Sequence, residues 1–398
     1  MNLSTFTARL PQDVPLATVV MDASRDSETG AQTLTTRWKD LQRSLEGLDA
    51  PTLEALDEEI RTVSRSGGKH GRVIIAGQGQ VYLDKVLADP PAGDEATLGQ
   101  NPLALARALD DHVSYLLAAV DRSGADITVH GDPSSAPTAV DQESSVDGGH
   151  NELRKANSGA LSHKRFESRA EDSWERNAEA VASELDRHVA EDRPELLILT
   201  GDVRARHLVA DNLQQHARDI LLHLDGGSRN AGAHEDAFEE RLSAVLLQYR
   251  MRRRQEVLNR YDQARGQDGP AVAGTDAVLR ALRRGQVSEL ILNETAAGPP
   301  STLAERTVWV GDEPLQISPS REEVASLGAQ APHEERLDLA LGQAAAAQGA
   351  EIILIDDAAD GTRLTEGVGA LLRWEDDSTP RDRAFGMSGD PARETAGN

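Results

Sequence analysis

Residues 170–189 read AEDSWERNAEAVASELDRHV, and their apolar side chains recur every three or four positions. Glu, Asp, Arg and Asn fill the positions between them, which is the pattern of an amphipathic helix with one buried side. The sequence therefore predicts a long helix that ends near Arg193 and buries the face formed by Ala170, Trp174, Ala178, Val181, Ala182, Leu185 and Val189.

The segment before this helix, 132–165, is polar and rich in Gly, Ser and Asp, and its composition predicts a loop. A loop of about thirty residues is uncommon inside a compact domain and is usually functional or disordered. Between Asn151 and Arg169, five basic residues face two acidic ones, a net charge of +3, whereas the whole chain carries −25. This basic segment points to an anionic target such as RNA. The alternative is a solvated flexible loop whose charges aid solubility.

Composition describes a globular protein of 398 residues, long enough for two or three domains. The chain has no cysteine, which excludes disulfides, thiolate metal sites and cysteine nucleophiles. No secretory signal is readable at the N-terminus, and the apolar runs are far shorter than the ~20 residues that a membrane helix needs. We therefore expect a cytoplasmic protein with no membrane partner, and its acidity gives no reason to expect DNA as a partner.

Strand and helix patterns alternate along the chain and predict an α/β fold. Residues Gly77-Gln78-Gly79 are interpreted as a hairpin turn and not as a phosphate loop, because no helix pattern follows them. The segment Ala88–Gln100 has the composition of a linker. Strands are predicted at 16–21, 73–83 (two strands), 113–120, 126–130, 195–201, 220–224, 289–293, 308–310, 351–355 and 367–374, and helices at 32–45, 53–63, 205–214, 235–265, 274–284 and 336–349.

The predicted helix at 235–265 carries the run Arg250-Met-Arg-Arg-Arg254, and residues 249–266 have a net charge of +4. Such a face is typical of a solvated surface, and an RNA site is the alternative.

Known catalytic patterns are missing from the sequence. His333-Glu334 begins like a zinc-protease helix, but the second ligand position holds Leu337. Neither a Gly-x-Ser-x-Gly elbow nor a Walker-type Gly-Lys-Ser/Thr occurs. The sequence thus gives no metal, no cofactor and no demonstrated catalytic residue.

Three landmarks occur in the order found in archaeal and eukaryotic class-one peptide release factors and Pelota. Tyr115-Leu-Leu-Ala-Ala-Val-Asp-Arg-Ser-Gly-Ala-Asp-Ile-Thr-Val-His130 resembles the hairpin that opens their middle domain. Lys164-Arg165-Phe166, with Arg169 and the helix through Asn177, resembles the segment after their Gly-Gly-Gln tip. The stretches 274–292 and 367–374 are similar to the two ends of their third domain. Among bacterial relatives the chain looks most like the actinobacterial Balon group of ribosome hibernation factors.

This resemblance implies three consecutive domains. The first, 1–100, would be a decoding-centre-like α/β domain with a linker. The middle domain, 101–228, would hold the basic loop (132–165) and the long helix. A C-terminal α/β domain, 229–376, and a disordered tail, 377–398, would follow.

Two departures from the family argue against termination at stop codons. The Gly-Gly-Gln loop orients water for peptidyl-tRNA hydrolysis, but here no glutamine lies between Gln142 and Arg193. Gly148-Gly149-His150 comes too early, and Asn157-Ser158-Gly159 lies nearer the expected tip. The Asn-Ile-Lys-Ser motif is also missing, since the corresponding turn reads Glu46-Gly-Leu-Asp-Ala-Pro51.

The resemblance therefore implies a non-catalytic hibernation and stress factor that occupies the vacant A site of the dormant 70S ribosome. Its partners would be 16S and 23S rRNA, and elongation factor Tu at the third domain. The basic residues would neutralise rRNA phosphates, three polar residues would hydrogen-bond bases or 2′-hydroxyls, and glycine would permit close approach. The predicted rRNA-binding residues are Arg154, Lys155, Asn157, Ser158, Gly159, His163, Lys164, Arg165 and Arg169.

Two alternatives stay open at this point. One is a peptidyl-tRNA hydrolase that rescues stalled ribosomes, with the loop backbone or His163 in place of the missing glutamine. The other is a protein-interaction adaptor that presents the third domain and the Arg250–Arg254 helix to an acidic partner, and it implies no ribosome association.

Overall fold

The fold is described from a computed structural model. It covers residues 3, 10–11, 14–24, 30–62, 69–87, 89–110, 112–131, 140–147, 160–229, 235–267, 269–355, 364–376 and 379. The side chains of 30–31, 147, 160–173 and 235 lie outside the description. By their contacts the residues form two compact units: unit 1 holds 1–110 and 254–398, and unit 2 holds 111–253.

The N-terminal part of unit 1 is built on an antiparallel sheet in the order β3-β2-β1-β4. Gln78 and Gly79 both have positive φ, as a tight hairpin turn between β2 and β3 requires, so the hairpin prediction is confirmed. One face of the sheet packs on Trp38, Leu56 and Ile60 from two helices. The elements are β1 (Leu16–Asp22), α1 (Gly30–Leu41), a 3₁₀ turn (Gln42–Leu45), α2 (Ala50–Arg61), β2 (Gly71–Gly77), β3 (Gln80–Leu87), β4 (Glu95–Leu98) and α3 (Pro102–Leu109).

Strand β4 corrects the interpretation of 88–100 as a linker. It pairs with β1 from Ala17↔Leu98 to Val20↔Glu95. The strand has only four residues and follows a Pro- and Gly-containing stretch, so its sequence carries no alternation long enough to detect.

Unit 2 is a five-stranded mixed sheet in the order β7-β6-β5-β8-β9. Strands β5 and β8 are parallel, in the register Tyr115↔Leu196 to Val120↔Gly201. Gly201 has a φ of +99°, and a Cβ there would lie 2.1 Å from the Val120 carbonyl oxygen, so only glycine fits this close approach. The elements are β5 (Tyr115–Val120), β6 (Gly124–His130), β7 (Gln142–Asp147), α4 (Ala160–Asp192), β8 (Leu196–Gly201), α5 (Val203–Asn212), α6 (Gln215–Asp219), β9 (Leu221–His223) and α7 (Glu235–Gly266), whose last residues belong to unit 1.

The long helix predicted from residues 170–189 is confirmed as the C-terminal part of α4. Ala178, Val181, Ala182, Leu185 and Val189 are all buried against the sheet. The predicted loop 132–165 is too long: β7 occupies 142–147 and the helix backbone begins at Ala160. Strand β7 reads Gln-Glu-Ser-Ser-Val-Asp, which is too polar to predict as a strand, but its backbone pairs along β6.

The C-terminal part of unit 1 contains two further sheets, in the orders β10-β16-β11-β15 and β13-β12-β14. Residues His333 and Glu334, read as the start of a helix motif, lie in strand β14. The elements are β10 (Ala271–Ala273), α8 (Thr275–Arg283), β11 (Val287–Asn293), β12 (Thr307–Val310), β13 (Ile317–Ser318), α9 (Arg321–Ser326), β14 (His333–Arg336), α10 (Leu337–Ala347), β15 (Glu351–Ile355), a 3₁₀ turn (Thr365–Gly367) and β16 (Val368–Leu372).

The α/β fold class is confirmed by these alternating helices and mixed sheets. Within unit 1, one apolar core joins the N-terminal sheet to α3, α8, α10 and the sheet around β11. The division into domains at 1–100, 101–228 and 229–376 stays a prediction. The predicted disordered tail, 377–398, lies outside the described residues apart from Thr379.

Candidate functional site

The predicted rRNA-binding residues fall in and just before the N-terminal part of α4. Arg154, Lys155, Asn157, Ser158 and Gly159 lie outside the described residues. His163, Lys164, Arg165 and Arg169 lie on the helical backbone of α4, and their side chains are outside the description. Their assignment to RNA binding therefore stays a prediction.

The C-terminal half of α4 anchors the helical part, 160–169, of the basic segment (151–169) to unit 2. Val181 and the fully buried Leu185 of α4 pack against strands β5, β6 and β8. At about 25 cal/mol per Å² of apolar surface, each such side chain stabilises the docked helix by roughly 1.5–3 kcal/mol. The helical part of the basic segment is thus continuous with a well-packed part of the same helix.

The turn between β5 and β6 forms a second anchor for α4. The Nδ2 of Asn177 donates a hydrogen bond of 2.9 Å to the Arg122 carbonyl oxygen in that turn. Sequence reasoning did not single out Asn177 for this contact, because an asparagine on a helix carries no local signal of a partner 55 residues away.

Arg229 stabilises the same turn from the other side. Its guanidinium lies 3.2 Å from Asp121 and 2.9 Å from Asp126. Partial burial raises the pKa of Asp121, but hydrogen bonds from Ser123 and the charge of Arg229 outweigh burial and lower the pKa below its ordinary value. Asp121 is therefore an ionised structural residue of the turn.

His188 links α4 to strand β7 in an arrangement that resembles a Ser-His-Asp triad. Its Nδ1 lies 2.9 Å from Asp192 Oδ2, and its Nε2 lies 3.4 Å from Ser144 Oγ. However, the same Nε2 lies 3.1 Å from an Arg187 nitrogen, which occupies the lone pair that a general base would need. We interpret this cluster as a polar tie that holds the edge strand onto the helix.

The basic run of α7 is used within the protein. Arg253 forms an ion pair of 2.8 Å with Glu195 in unit 2. Arg254 pairs with Asp110 at 2.8 Å, and Arg260 pairs with Glu289 at 2.8 Å, both in unit 1. At least three of the six arginines in residues 249–266 are thus held by internal carboxylates, which reduces the positive charge that this helix can offer an acidic partner.

Two general properties bear on the class of site. Among the residues that the structure describes, no group of three or more His, Asp or Glu side chains could hold a metal ion. No described helix is long and apolar enough to cross a membrane.

Comparison with known proteins identifies the region that contains these anchors. Residues 114–267 match the profile of a family described as bacterial archaeo-eukaryotic release factor family 2. This region is therefore similar to the archaeo-eukaryotic release-factor superfamily. The resemblance seen in the sequence at the level of this superfamily is therefore confirmed, and the release-factor-like region covers nearly all of unit 2.

Sequence relatives extend the similarity along most of the chain. Uncharacterized proteins from two strains of Mycobacterium tuberculosis are 28% identical over 368 residues, covering 90% of this chain and 93% of theirs. Saccharomyces cerevisiae Dom34, a translation termination-like factor, matches at 12% identity over 73% of this chain and 76% of its own, with a TM-score of 0.37. Archaeoglobus fulgidus Pelota matches at 13% identity, covering 77% of this chain and 80% of its own, with a TM-score of 0.31.

Proposed function

We propose that this protein is a non-catalytic ribosome-binding factor that occupies the vacant A site during dormancy or stress. The observation that supports the proposal is the position of the basic segment. Residues 151–169, with a net charge of +3 on a chain of −25, lie inside the release-factor-like region, and those from residue 160 onward form the start of α4. In that position the family carries the Gly-Gly-Gln tip, which this sequence lacks.

Charge provides the physical basis for ribosome binding. Arg154, Lys155, Lys164, Arg165 and Arg169 would neutralise about five rRNA phosphates and release their counterions. Physiological salt screens charges beyond about 8 Å, so a local basic segment can bind RNA even on an acidic protein. In this proposal the segment enters the peptidyl transferase centre of 23S rRNA, and the N-terminal region contacts the 16S decoding centre.

The missing glutamine supports a role without peptide release. Hydrolysis of peptidyl-tRNA needs a positioned group that orients water beside the ester, and such positioning can lower the barrier by several kcal/mol. The C-terminal region would then serve to contact a translation factor, for which elongation factor Tu is the proposed partner.

Sedimentation of cell lysates tests ribosome binding directly. Lysates from growing and starved cells are separated on sucrose gradients and probed for this protein. We expect the protein to migrate with 70S ribosomes, with a larger bound fraction after starvation. Recovery of the protein only at the top of both gradients would contradict the proposal and favour the adaptor hypothesis.

A hydrolysis assay separates the proposed function from ribosome rescue. Ribosomes that carry labelled peptidyl-tRNA are incubated with the protein, and peptide release is followed over time. We expect no release above the background of buffer. Turnover that is lost in the His163→Ala variant would overturn the non-catalytic assignment.

A further inference from the structure

Two arginines flank one tryptophan at the end of the parallel strands of unit 2. The guanidinium carbons of Arg122 and Arg204 lie 5.1 Å and 4.8 Å from the centre of the Trp174 ring. Arg122 follows β5 and Arg204 follows β8, so both lie at the carboxyl ends of parallel strands, where open α/β sheets bind their ligands. We call these three residues the arginine–indole shelf.

A shallow pocket beside the shelf is open to solvent and has room for about one water-sized group. Val181, Ala205 and Val209 make its wall largely apolar, and its polar lining residues are Asp121, Arg122 and Asn177. A small hydrogen-bond donor such as an amino group fits this space, and the flat ring that carries it would lie outside the pocket, against the shelf.

Asn177 presents an acceptor to this pocket. Its Nδ2 is held by the Arg122 carbonyl oxygen at 2.9 Å, which fixes the orientation of the amide. Its Oδ1 is buried and has no hydrogen-bond partner in the described part of the chain, and the residue is only 3% exposed. Because buried polar atoms are normally paired, this oxygen calls for a donor from a ligand or a water molecule.

The carboxylates around the shelf are already engaged. Asp121 and Asp126 pair with Arg229, and the side chain of Asp202 accepts a hydrogen bond of 2.9 Å from the Ala205 amide at the start of α5. Within the described residues, the Arg122 guanidinium makes no ion pair or hydrogen bond, and its contact is with the indole. The shelf therefore offers a cation and stacking surfaces to a ligand.

We propose that the arginine–indole shelf and its pocket bind an amino-bearing nucleobase of a ribonucleotide, with adenine as the reference case. The base stacks on the guanidinium and indole surfaces, and its exocyclic N–H donates to Asn177 Oδ1. The 5′-phosphate lies near Arg122. This site is separate from the basic segment 151–169, so the inference goes beyond the proposed function and can be tested without ribosomes.

Matched nucleotides test the hydrogen bond to Asn177. Purified full-length protein is titrated with AMP, with purine riboside 5′-monophosphate, which lacks the amino group, and with adenosine, which lacks the phosphate. Binding is measured by calorimetry and by the emission change of Trp174. We expect purine riboside 5′-monophosphate to bind roughly 3- to 10-fold more weakly than AMP, the effect of one neutral hydrogen bond. We expect adenosine to bind more weakly than AMP because it lacks the charge that Arg122 attracts.

Surface variants show whether the site is specific. Arg122→Gln should weaken AMP binding roughly tenfold, through loss of a charged hydrogen bond and a stacking surface. Arg176→Gln is the matched control, because Arg176 is exposed on α4, the helix that carries Trp174, and does not line the pocket. In Trp174→Phe, calorimetry should still detect weakened binding while the AMP-dependent emission change disappears.

Three results would each overturn the proposal. They are equal affinity for AMP and purine riboside 5′-monophosphate, no binding of either at millimolar concentration, and equal losses of affinity in Arg122→Gln and Arg176→Gln. A single-stranded oligoadenylate that binds more tightly than AMP identifies an RNA strand as the source of the base. The reverse order identifies a free nucleotide. Failure here with intact ribosome co-sedimentation would reject this site and leave the proposed function standing.

Discussion

Asn177 on α4 donates a 2.9 Å hydrogen bond to the carbonyl oxygen of Arg122 in the β5–β6 turn. One amide therefore ties the base of the long helix to the turn that carries one cation of the arginine–indole shelf. The same bond leaves the other end of the amide, Oδ1, without a protein partner. A stabilising contact and a candidate binding group thus come from a single side chain.

Replacement of this amide by a carboxyl group should destabilise unit 2 in a pH-dependent manner. In Asn177→Asp, the introduced carboxylate would be buried and would face the Arg122 carbonyl oxygen in place of an N–H donor. We expect a loss of about 1–3 kcal/mol at neutral pH. Burial raises the pKa of such a group, so the loss should shrink as pH falls and the protonated acid can donate to the carbonyl.

Thermal unfolding at several pH values measures this effect, and hydrogen exchange of the β5 and α4 amides assigns it to unit 2. The matched control is Asn212→Asp, because Asn212 makes the same type of bond to the Leu208 carbonyl at 2.8 Å but is exposed. Equal effects of the two substitutions would contradict the assigned role of burial.

Removal of the basic segment's charge should release the protein from ribosomes. Combined alanine substitution of Arg154, Lys155, Lys164, Arg165 and Arg169 removes about five phosphate contacts. The bound fraction in co-sedimentation should collapse, and the log–log dependence of wild-type affinity on salt should have a slope of several units. A wild-type affinity that does not change with salt would refute this model of binding.

A charge-preserving exchange is the control for that variant. Arg154, Arg165 and Arg169 become Lys, while Lys155 and Lys164 become Arg. If charge neutralisation dominates, this variant stays bound whereas the alanine variant does not. Unchanged co-sedimentation of the alanine variant would show that residues 151–169 are not the ribosome contact.

Glu95 should make the stability of unit 1 depend on pH. Its carboxylate accepts hydrogen bonds from Arg336 at 2.8 Å and Asn101 at 3.1 Å, and Asp338 binds the same arginine. Burial raises the pKa of Glu95, and the attraction of Arg336 only partly offsets it. The protonated form of Glu95 therefore stabilises the fold. This stabilisation is complete below about pH 4.5, the ordinary pKa of a glutamate, and is lost as pH rises through the raised pKa of Glu95 in the folded protein.

The Glu95→Gln variant tests the direction of this change in stability with pH. Glutamine keeps an acceptor for Arg336 and Asn101 but does not titrate, so its stability should decrease less than that of the wild type between pH 4.5 and neutrality. Thermal unfolding across this range provides the measurement. Parallel curves for the two proteins would show that Glu95 does not carry the effect.

Arg253 should matter for folding more than for binding. The Arg253–Glu195 pair is partly exposed, so Arg253→Gln should cost about 0.5–1 kcal/mol of stability. Ribosome co-sedimentation should not change, because this charge is already paired inside the protein. Arg280→Gln, at an exposed position of α8, provides the control for a generic loss of charge. A loss of ribosome binding in Arg253→Gln would reassign the basic run of α7 to the interface.

The elements with strong periodicity could be predicted from the sequence. The buried face of α4, the β2–β3 hairpin and the strands around Leu116, Leu197 and Ile353 each carry enough apolar residues to mark their structure. Strand β4 and strand β7 could not be predicted, because short or polar edge strands are defined by backbone pairing with a neighbour. Helix α3, Pro-Leu-Ala-Leu-Ala-Arg-Ala-Leu, is buried on nearly every side, so it has no polar face to reveal its period.

The candidate site was predictable only in part. The charge of residues 151–169 is visible in composition, and the family resemblance gives it a position. The arginine–indole shelf joins Arg122, Trp174 and Arg204, which lie in three separate elements. Their proximity depends on the parallel pairing of β5 with β8, and no local pattern encodes such pairing.

The polar edge strand β7 also affects how the protein behaves at high concentration. Among the described residues β7 is an edge strand of the five-stranded sheet, and its Glu143 and Ser145 are exposed. A charged, hydrophilic margin discourages another molecule from adding a strand and so opposes fibril formation. The polar composition that makes this strand hard to predict thus also disfavours edge-to-edge association of the protein.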